Sequence, residues 1–241
     1  MTDPLHGKRV LIIGFGRQGR SLARWLPTVG AKVIVNDGRD EKTLNLPQDE
    51  YAHVRFVLGD HPVSLVEEAD IVCVSGGVPL ELPLIQAAYK AGLTITNDAQ
   101  LFMERCPAPV IGITGSAGKT TTTRLVGDIM QQSGFRTWVG GNIGDVLLDV
   151  LPQIAPQDRV VMELSSFQLE LMTNSPQIAA VLNITPNHLD RHGTMENYTA
   201  AKANIIAHQR PDDMAILGYD DAGSHALEEA VCSQLLWFSM R

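Results

Sequence analysis

The sequence has 241 residues, and a loose figure of roughly 150 residues per domain points to two compact units. Hydrophobic residues at 44% and charged residues at 19% exclude a disordered or fibrous chain. The net charge of −8 argues against a general binder of nucleic acid or of anionic membranes, because phosphates recruit Lys and Arg. Acid is concentrated late: residues 1–109 hold 11 basic and 13 acidic side chains, residues 110–241 hold 8 and 14. Cys73, Cys106 and Cys232 are widely spaced with no C-x-x-C pair, which suits a reducing compartment. Residues 1–9 are polar and lack the apolar core of a signal peptide, and no apolar run approaches the ~18 residues that cross a bilayer. A soluble, cytoplasmic, monomeric protein is the expectation.

The first element is the apolar run 9–13, which reads as a strand buried on both faces of a parallel sheet. A helix is predicted from Arg17 to Val29, with Leu22, Trp25, Leu26 and Val29 on one face, and then a strand at 31–35. Strands at 54–58, 70–74 and 93–96 and a helix at 81–91 continue an open α/β pattern. Pro107 and Pro109 break the chain before a strand at 110–114, so a first domain of 1–102 and a second of 103–241 are expected. In the second, a glycine loop and helix at 115–133 precede a strand at 135–139 and a helix at 144–151. Strands at 159–164, 178–183 and 214–218 and a helix at 195–209 follow. The apolar run 235–238 reads as one more strand just before the sequence stops, so a fragment of a longer chain is expected.

Gly14-Phe15-Gly16-Arg17-Gln18-Gly19 matches G-x-G-x-x-G between a predicted strand and a predicted helix, with Asp37 closing the second strand. In a dinucleotide fold the first glycine allows the turn, the second admits a pyrophosphate and the third lets helix and strand pack closely. The helix N-terminus would hold the anion and Asp37 a ribose hydroxyl. Alone, this loop reads as an NAD-dependent oxidoreductase.

A second loop, from Gly112 through Gly115-Ser116-Ala117-Gly118-Lys119-Thr120, also follows a strand and opens a helix. The strict P-loop spacing is missing, since five residues lie between Gly112 and Gly118 and two between Gly115 and Gly118. Its chemistry is present: backbone N–H groups for a phosphate, a lysine for the β and γ groups and a hydroxyl for Mg²⁺. Thr120 to Thr123 is a β-branched run at a helix start, and a metal-binding hydroxyl offers a reason for it. Two phosphate loops in tandem favour an ATP-driven ligase with a nucleotide-linked substrate over a hydride-transfer enzyme.

Residues 114–121, Gly140-Gly141-Asn142-Ile143-Gly144, the run from Glu163 to Glu170, Asn183 to His192, and Ala201-Lys202 resemble successive motifs of the Mur ligases, in order and over nearly the whole sequence. The Glu-Leu-Ser-Ser-Phe-Gln-Leu run resembles the D-glutamate-adding branch. The resemblance implies a Rossmann-like domain for a uridine nucleotide, then a P-loop ATPase-type α/β domain, here incomplete at its C-terminus. A third domain would receive the amino acid. It implies ATP and Mg²⁺ as cofactors and UDP-N-acetylmuramoyl-L-alanine and D-glutamate as substrates, with an amide formed through an acyl phosphate.

By the same resemblance Lys119 contacts the β and γ phosphates within an ATP site of Gly115, Ser116, Ala117, Gly118, Lys119, Thr120, Thr121 and Thr122. Thr120 and Glu163 hold one Mg²⁺. His188 is a ligand of a second, together with a carbamylated Lys202; the carbamate replaces a repelling cation by a hard oxygen ligand and requires a depressed amine pKa. Asn142, Ser165 and His188 lie near the substrate. For the uridine nucleotide the resemblance implies Gly14, Phe15, Gly16, Arg17, Gln18, Asp37, Gly38, Arg39, Ser75, Gly76 and Gly77. Gln18 and Gly38 stand where hydroxyl residues are common, so backbone contacts from Gly14 to Gln18 carry that expectation. Another Mur or folylpolyglutamate-type ligase, or a non-catalytic nucleotide-binding module, are the alternative readings.

Overall fold

The computed structural model describes residues 2–46 and 49–240. It divides into two compact units, Met1–Asp98 and Ala99–Arg241. The division falls inside the short helix Asp98–Met103, slightly upstream of the expected 102/103 boundary.

Unit 1 is a five-stranded parallel sheet of β1 (Arg9–Ile13), β2 (Lys32–Asp37), β3 (Val54–Leu58), β4 (Ile71–Val74) and β5 (Thr94–Thr96), in the order β3-β2-β1-β4-β5. Val10 to Ile13 are fully buried because β1 is central and covered on both faces. The helix Arg17–Thr28 buries Leu22, Ala23, Trp25 and Leu26. Val29 of the predicted apolar face lies beyond the helix end and is half-buried. Consecutive β1 and β2 pair in register, while β4 joins the other side of β1, so the strand order reverses there. A crevice at the carboxyl ends of the strands follows from that reversal.

Unit 2 is a six-stranded parallel sheet. Its strands are β6 (Val110–Thr114), β7 (Thr137–Gly141), β8 (Arg159–Glu163), β9 (Ile178–Val181), β10 (Met214–Gly218) and β11 (Gln234–Phe238), in the order β11-β10-β9-β6-β8-β7. Every residue of central β6 is buried, and Ile111, Ile113, Val161 and Ala180 form a core against Val126 and Met130 of the helix Lys119–Gln132. The carboxyl ends of β6, β8 and β9 lie side by side and carry the glycine loop, Glu163 and the segment after Val181.

Two element boundaries depart from expectation for local reasons. Strand β7 begins at Thr137 rather than 135, because Phe135 stays outside the ladder with the Arg159 guanidinium 4.2 Å over its ring. The helix expected at 144–151 is a single turn, Leu147–Val150, followed by a 3₁₀ turn at Leu151–Gln153, where Pro152 has no N–H to continue it. No helix among the described residues is long and apolar enough to cross a membrane.

Candidate functional site

In unit 1 the glycine loop leaves β1 at its carboxyl end and enters the helix Arg17–Thr28. Gly14 adopts φ +90°, and Gly19 packs so tightly that a Cβ there would lie 2.0 Å from Gly14 O. Gly16 faces open space, with nothing within 4 Å of an added Cβ. Of the loop's three glycines, Gly16 alone leaves room for a ligand to approach the backbone closely.

Several expected contacts prove to be spent inside the fold. The Gly14 N–H donates to Asn36 O at 2.8 Å and the Phe15 N–H to Asp37 Oδ2 at 2.7 Å, so neither faces a phosphate. The Phe15 ring is buried edge-to-face against Tyr51 and Phe56, 5.2 Å from each. Of the backbone N–H groups expected to face a ligand, those of Gly14 and Phe15 are therefore engaged within the fold. Ser75 is buried and its hydroxyl donates to Gly14 O at 2.7 Å, which ties the end of β4 to the loop. Gly76 and Gly77 form the following turn, with the Gln18 amide leaning over Gly76.

Asp37 is the most heavily engaged of these residues. Besides Phe15 N–H it accepts from Arg39 N at 2.9 Å, Nε at 2.8 Å and Nη2 at 2.7 Å. Burial by itself would raise the carboxyl pKa, but Arg39 and the two backbone donors prevail and hold it at about 2. Gly38 lies between the paired residues.

In unit 2 the second loop runs from β6 into the helix Lys119–Gln132, with Gly118 at φ +82° making the turn that a side chain would resist. Asn183, beyond β9, accepts the Ser116 N–H at its carbonyl, 2.9 Å, and the Ala117 N–H at its side chain, 2.8 Å. Those two N–H groups are accordingly unavailable to a phosphate. The Thr122 N–H bonds Gly118 O within the helix. Its side chain lines an apolar groove of about 460 Å³ with Ile111, Val126 and Met130, one and two turns along. The first-turn N–H groups of Gly118, Lys119, Thr120 and Thr121 remain, at the positive end of the helix dipole. Within the run 115–122, the backbone donors not bonded within the fold among the described residues lie at the helix start.

Glu163 ends β8, 1% exposed. Thr120 Oγ1 donates to its Oε2 at 2.8 Å and Asn142 Nδ2 to its Oε1 at 2.9 Å, and the Asn142 N–H donates to Glu163 O at 2.9 Å. Thr120, Asn142 and Glu163 are therefore one cluster.

Lys202 comes from the helix Met195–Ala207 and is 1% exposed. Its Nζ donates to Gly115 O at 3.0 Å and Thr114 Oγ1 at 3.3 Å, and lies 4.8 Å from the Tyr198 ring centre. Desolvation, with the Lys119 charge nearby, brings its pKa down to about 7, and Glu163 opposes this only in part.

His188 takes the left-handed conformation, φ +53°, where it starts the helix Leu189–His192. Such geometry is costly away from glycine and marks a position fixed by its surroundings. Its ring lies 5.3 Å from Phe167, which stacks on His192 at 5.0 Å. The buried His192 meets Ser166 Oγ at 2.9 Å, and burial lowers its pKa, with the nearby charges of His188 and Lys202 adding to the effect. Sequence reasoning passed over Ser166, His192 and Tyr198, whose signal was burial unseen in a polar motif. Ser165, expected near the substrate, caps the helix Ser166–Leu169 in a reciprocal pair with Gln168.

The hard-cation test separates the expected ligands. Thr120 Oγ1 and Glu163 Oε2 are oxygens close enough to share one Mg²⁺. Lys202 as an amine is unsuited to Mg²⁺, and fits only once it carries a carboxylate.

Comparison with known proteins agrees with both units. Residues 8–97 match the model of the Mur ligase MurD-like N-terminal domain, and residues 113–239 that of the Mur ligase middle domain. A UDP-N-acetylmuramoylalanine–D-glutamate ligase of Pelotomaculum thermopropionicum is 43% identical over 97% of this chain and 52% of its own length. One of Koribacter versatilis is 44% identical over 98% and 52%. The chain spans about half the length of the curated relatives it matches. Among solved structures, the UDP-N-acetylmuramate:L-alanyl-gamma-D-glutamyl-meso-diaminopimelate ligase of Neisseria meningitides shares the fold at TM-score 0.63 and 16% identity, covering 96% of this chain and 78% of that one. The UDP-N-acetylmuramate-alanine ligase of Thermotoga maritima does so at TM-score 0.55 and 20% identity, over 97% and 53%. With both domain models matched in order, and the loop, the carboxylate and the lysine gathered at one sheet edge, the chain belongs to the Mur ligase family.

Proposed function

We propose that the chain is the nucleotide-handling part of an ATP-dependent ligase that joins D-glutamate to UDP-N-acetylmuramoyl-L-alanine in cytoplasmic peptidoglycan synthesis. In this reading unit 1 holds the uridine nucleotide and unit 2 holds ATP. The names of the relatives at about 43% identity support the acceptor and donor. The observation that carries the reading is the meeting of Lys119, Lys202, Thr120 and Glu163 at the carboxyl ends of β6 and β8.

In the reaction the substrate carboxylate attacks the γ-phosphorus, the bond to ADP breaks, and an acyl phosphate forms. The amino-acid amine then displaces phosphate and loses a proton, leaving an amide. Bringing two anions together is the electrostatic difficulty. Lys119 neutralises the β and γ phosphates while the N–H groups of Gly118 to Thr121 orient them. Asn142, fixed to Glu163, stands beside the γ-phosphate. Mg²⁺, held by Thr120 and Glu163, supplies additional positive charge to the phosphates when bound. Lys202, whose amine pKa burial holds down to about 7, attacks CO₂ through its lone pair, loses a proton and becomes a carbamate, whose oxygens would hold a second Mg²⁺ together with the His188 nitrogen.

Calorimetry of this chain tests the first unit: UDP-N-acetylmuramoyl-L-alanine is expected to bind far more tightly than NAD, and the reverse order overturns the reading. In the chain extended to the length of its relatives, phosphate release is expected to need D-glutamate. Release driven instead by L-lysine or diaminopimelate would assign the acceptor elsewhere. Lys202 is tested by density or a ¹³C carbamate resonance under labelled bicarbonate and Mg²⁺, and a bare ammonium under those conditions contradicts the carbamate.

A further inference from the structure

The carboxyl edge of the unit 1 sheet carries a polar group that neither nucleotide binding nor phosphoryl transfer, as described, employs. His61 follows β3, and its Nδ1 meets Asn36 Oδ1. Asn36 is fully buried on β2, and its amide nitrogen donates to Val57 O at 2.9 Å and to Asp60 O at 2.7 Å. With both amide protons spent, the oxygen facing His61 can only accept. Nδ1 therefore carries the ring proton, and Nε2 of the neutral imidazole presents a lone pair. No hydrogen bond from a described residue reaches it.

Two neighbours leave this acceptor available. At Gly38 an added Cβ would come within 3.0 Å of Nε2, so a side chain there would push the ring aside, whereas glycine leaves the tip uncovered. Asp37, the residue that in sheets of this kind takes a ribose hydroxyl, accepts four hydrogen bonds within the fold. A carboxylate offers about four lone-pair sites, so Asp37 is saturated. Among the described residues, the imidazole Nε2 is an acceptor beside Asp37 and Gly38 that the fold does not engage.

We propose that His61 is a binding residue for the nucleoside end of the unit 1 ligand, its Nε2 accepting a hydrogen bond from a ribose hydroxyl or from the imide N–H of the base. The inference rests on the reading that unit 1 holds a uridine nucleotide, and it moves the acceptor role from the second strand to the end of the third.

Calorimetric titration of the wild-type chain, His61→Ala and His61→Gln with UDP, 2′-deoxy-UDP, N3-methyl-UDP and inorganic pyrophosphate provides the test. Loss of one buried hydrogen bond weakens UDP by roughly 5- to 30-fold in His61→Ala, while pyrophosphate affinity stays unchanged. His61→Gln, which keeps an acceptor oxygen, recovers part of the loss. In the wild type one analogue binds more weakly than UDP by a similar factor, and that analogue and UDP bind His61→Ala alike; it names the donor as ribose or base. Equal UDP affinity in wild type and His61→Ala overturns the proposal and leaves the nucleotide reading standing. A parallel loss of pyrophosphate affinity overturns it in favour of a charge contact, and so does an analogue penalty that survives intact in His61→Ala. Failure of the wild type to bind UDP overturns both.

Discussion

Lys119 and Lys202 donate to the same carbonyl oxygen, Gly115 O, at 2.9 and 3.0 Å. Two amines converging on one acceptor cannot both keep an ordinary affinity for protons. Lys202, the buried one, gives way, because desolvation acts on it first and the Lys119 charge second. Its folded pKa of about 7 lies below its unfolded value near 10.5, so between those limits the unfolded chain binds more protons than the folded one. Stability therefore rises with pH through that window, by up to ~1.4 kcal/mol per unit from this group. In CO₂-free buffer, urea unfolding should show the wild type gaining about 2 kcal/mol on Lys202→Met between about pH 7.5 and 9.5. A gap that stays constant would place the amine at an ordinary value.

Glu163→Gln keeps the shape of the cluster and removes its charge. The Asn142 amide keeps an acceptor in the glutamine oxygen, and the Thr120 hydroxyl, which can rotate, accepts from the new amide N–H instead of donating, so the fold should hold within about 1 kcal/mol. Affinity for the Mg²⁺ complex of a non-hydrolysable ATP analogue is expected to fall roughly 10- to 100-fold, with metal-free binding little changed. Equal losses in both titrations would show that Glu163 serves the loop rather than a cation.

Within the first loop the glycines should separate cleanly. Gly19→Ala drives a methyl to 2.0 Å from Gly14 O and should cost about 1–3 kcal/mol in chemical unfolding. Gly16→Ala meets nothing within 4 Å and has φ −79°, so its stability should change by less than about 0.5 kcal/mol. Its UDP affinity should nevertheless drop, since the methyl enters the space left for the pyrophosphate. The opposite outcome, with Gly19→Ala weakening binding and Gly16→Ala weakening the fold, would exchange the roles of the two glycines.

Asn183 pairs with Ala117 in both directions, Oδ1 accepting its N–H at 2.8 Å and Nδ2 donating to its carbonyl at 3.1 Å. Asn183→Ala should cost about 1 kcal/mol and speed hydrogen exchange at the Ala117 amide, while nucleotide affinity weakens. Unchanged exchange there would show that the Ser116 bonds to Thr185 and Tyr198 hold the loop without it.

Much of the fold was legible in sequence because parallel strands at Val10–Ile13 and Val110–Thr114 are continuous apolar runs, and both glycine loops stand directly after them. The family resemblance also pointed to Thr120, Glu163 and Lys202, and the fold brings Thr120 against Glu163 and Lys202 against the loop at Gly115. Reading spare hydrogen-bond capacity proved harder. Gly14, Phe15, Ser75, Ser116 and Ala117 have the right chemistry for a ligand, but partners distant in sequence, such as Asp37 and Asn183, had already claimed it. Four-residue helices such as Ser166–Leu169 and Leu189–His192 are too short to show a 3.6-residue period, so the stacking of His192 on Phe167 was invisible.

The helix that carries Lys202 also carries Tyr198, whose hydroxyl meets Ser116 Oγ at 3.0 Å, and Ser116 in turn bonds Thr185. Loop, lysine and post-strand segment are thus tied to one another by side-chain hydrogen bonds. In the proposed reading a nucleotide would meet a loop already shaped, the entropy of ordering it having been met during folding rather than drawn from the binding energy.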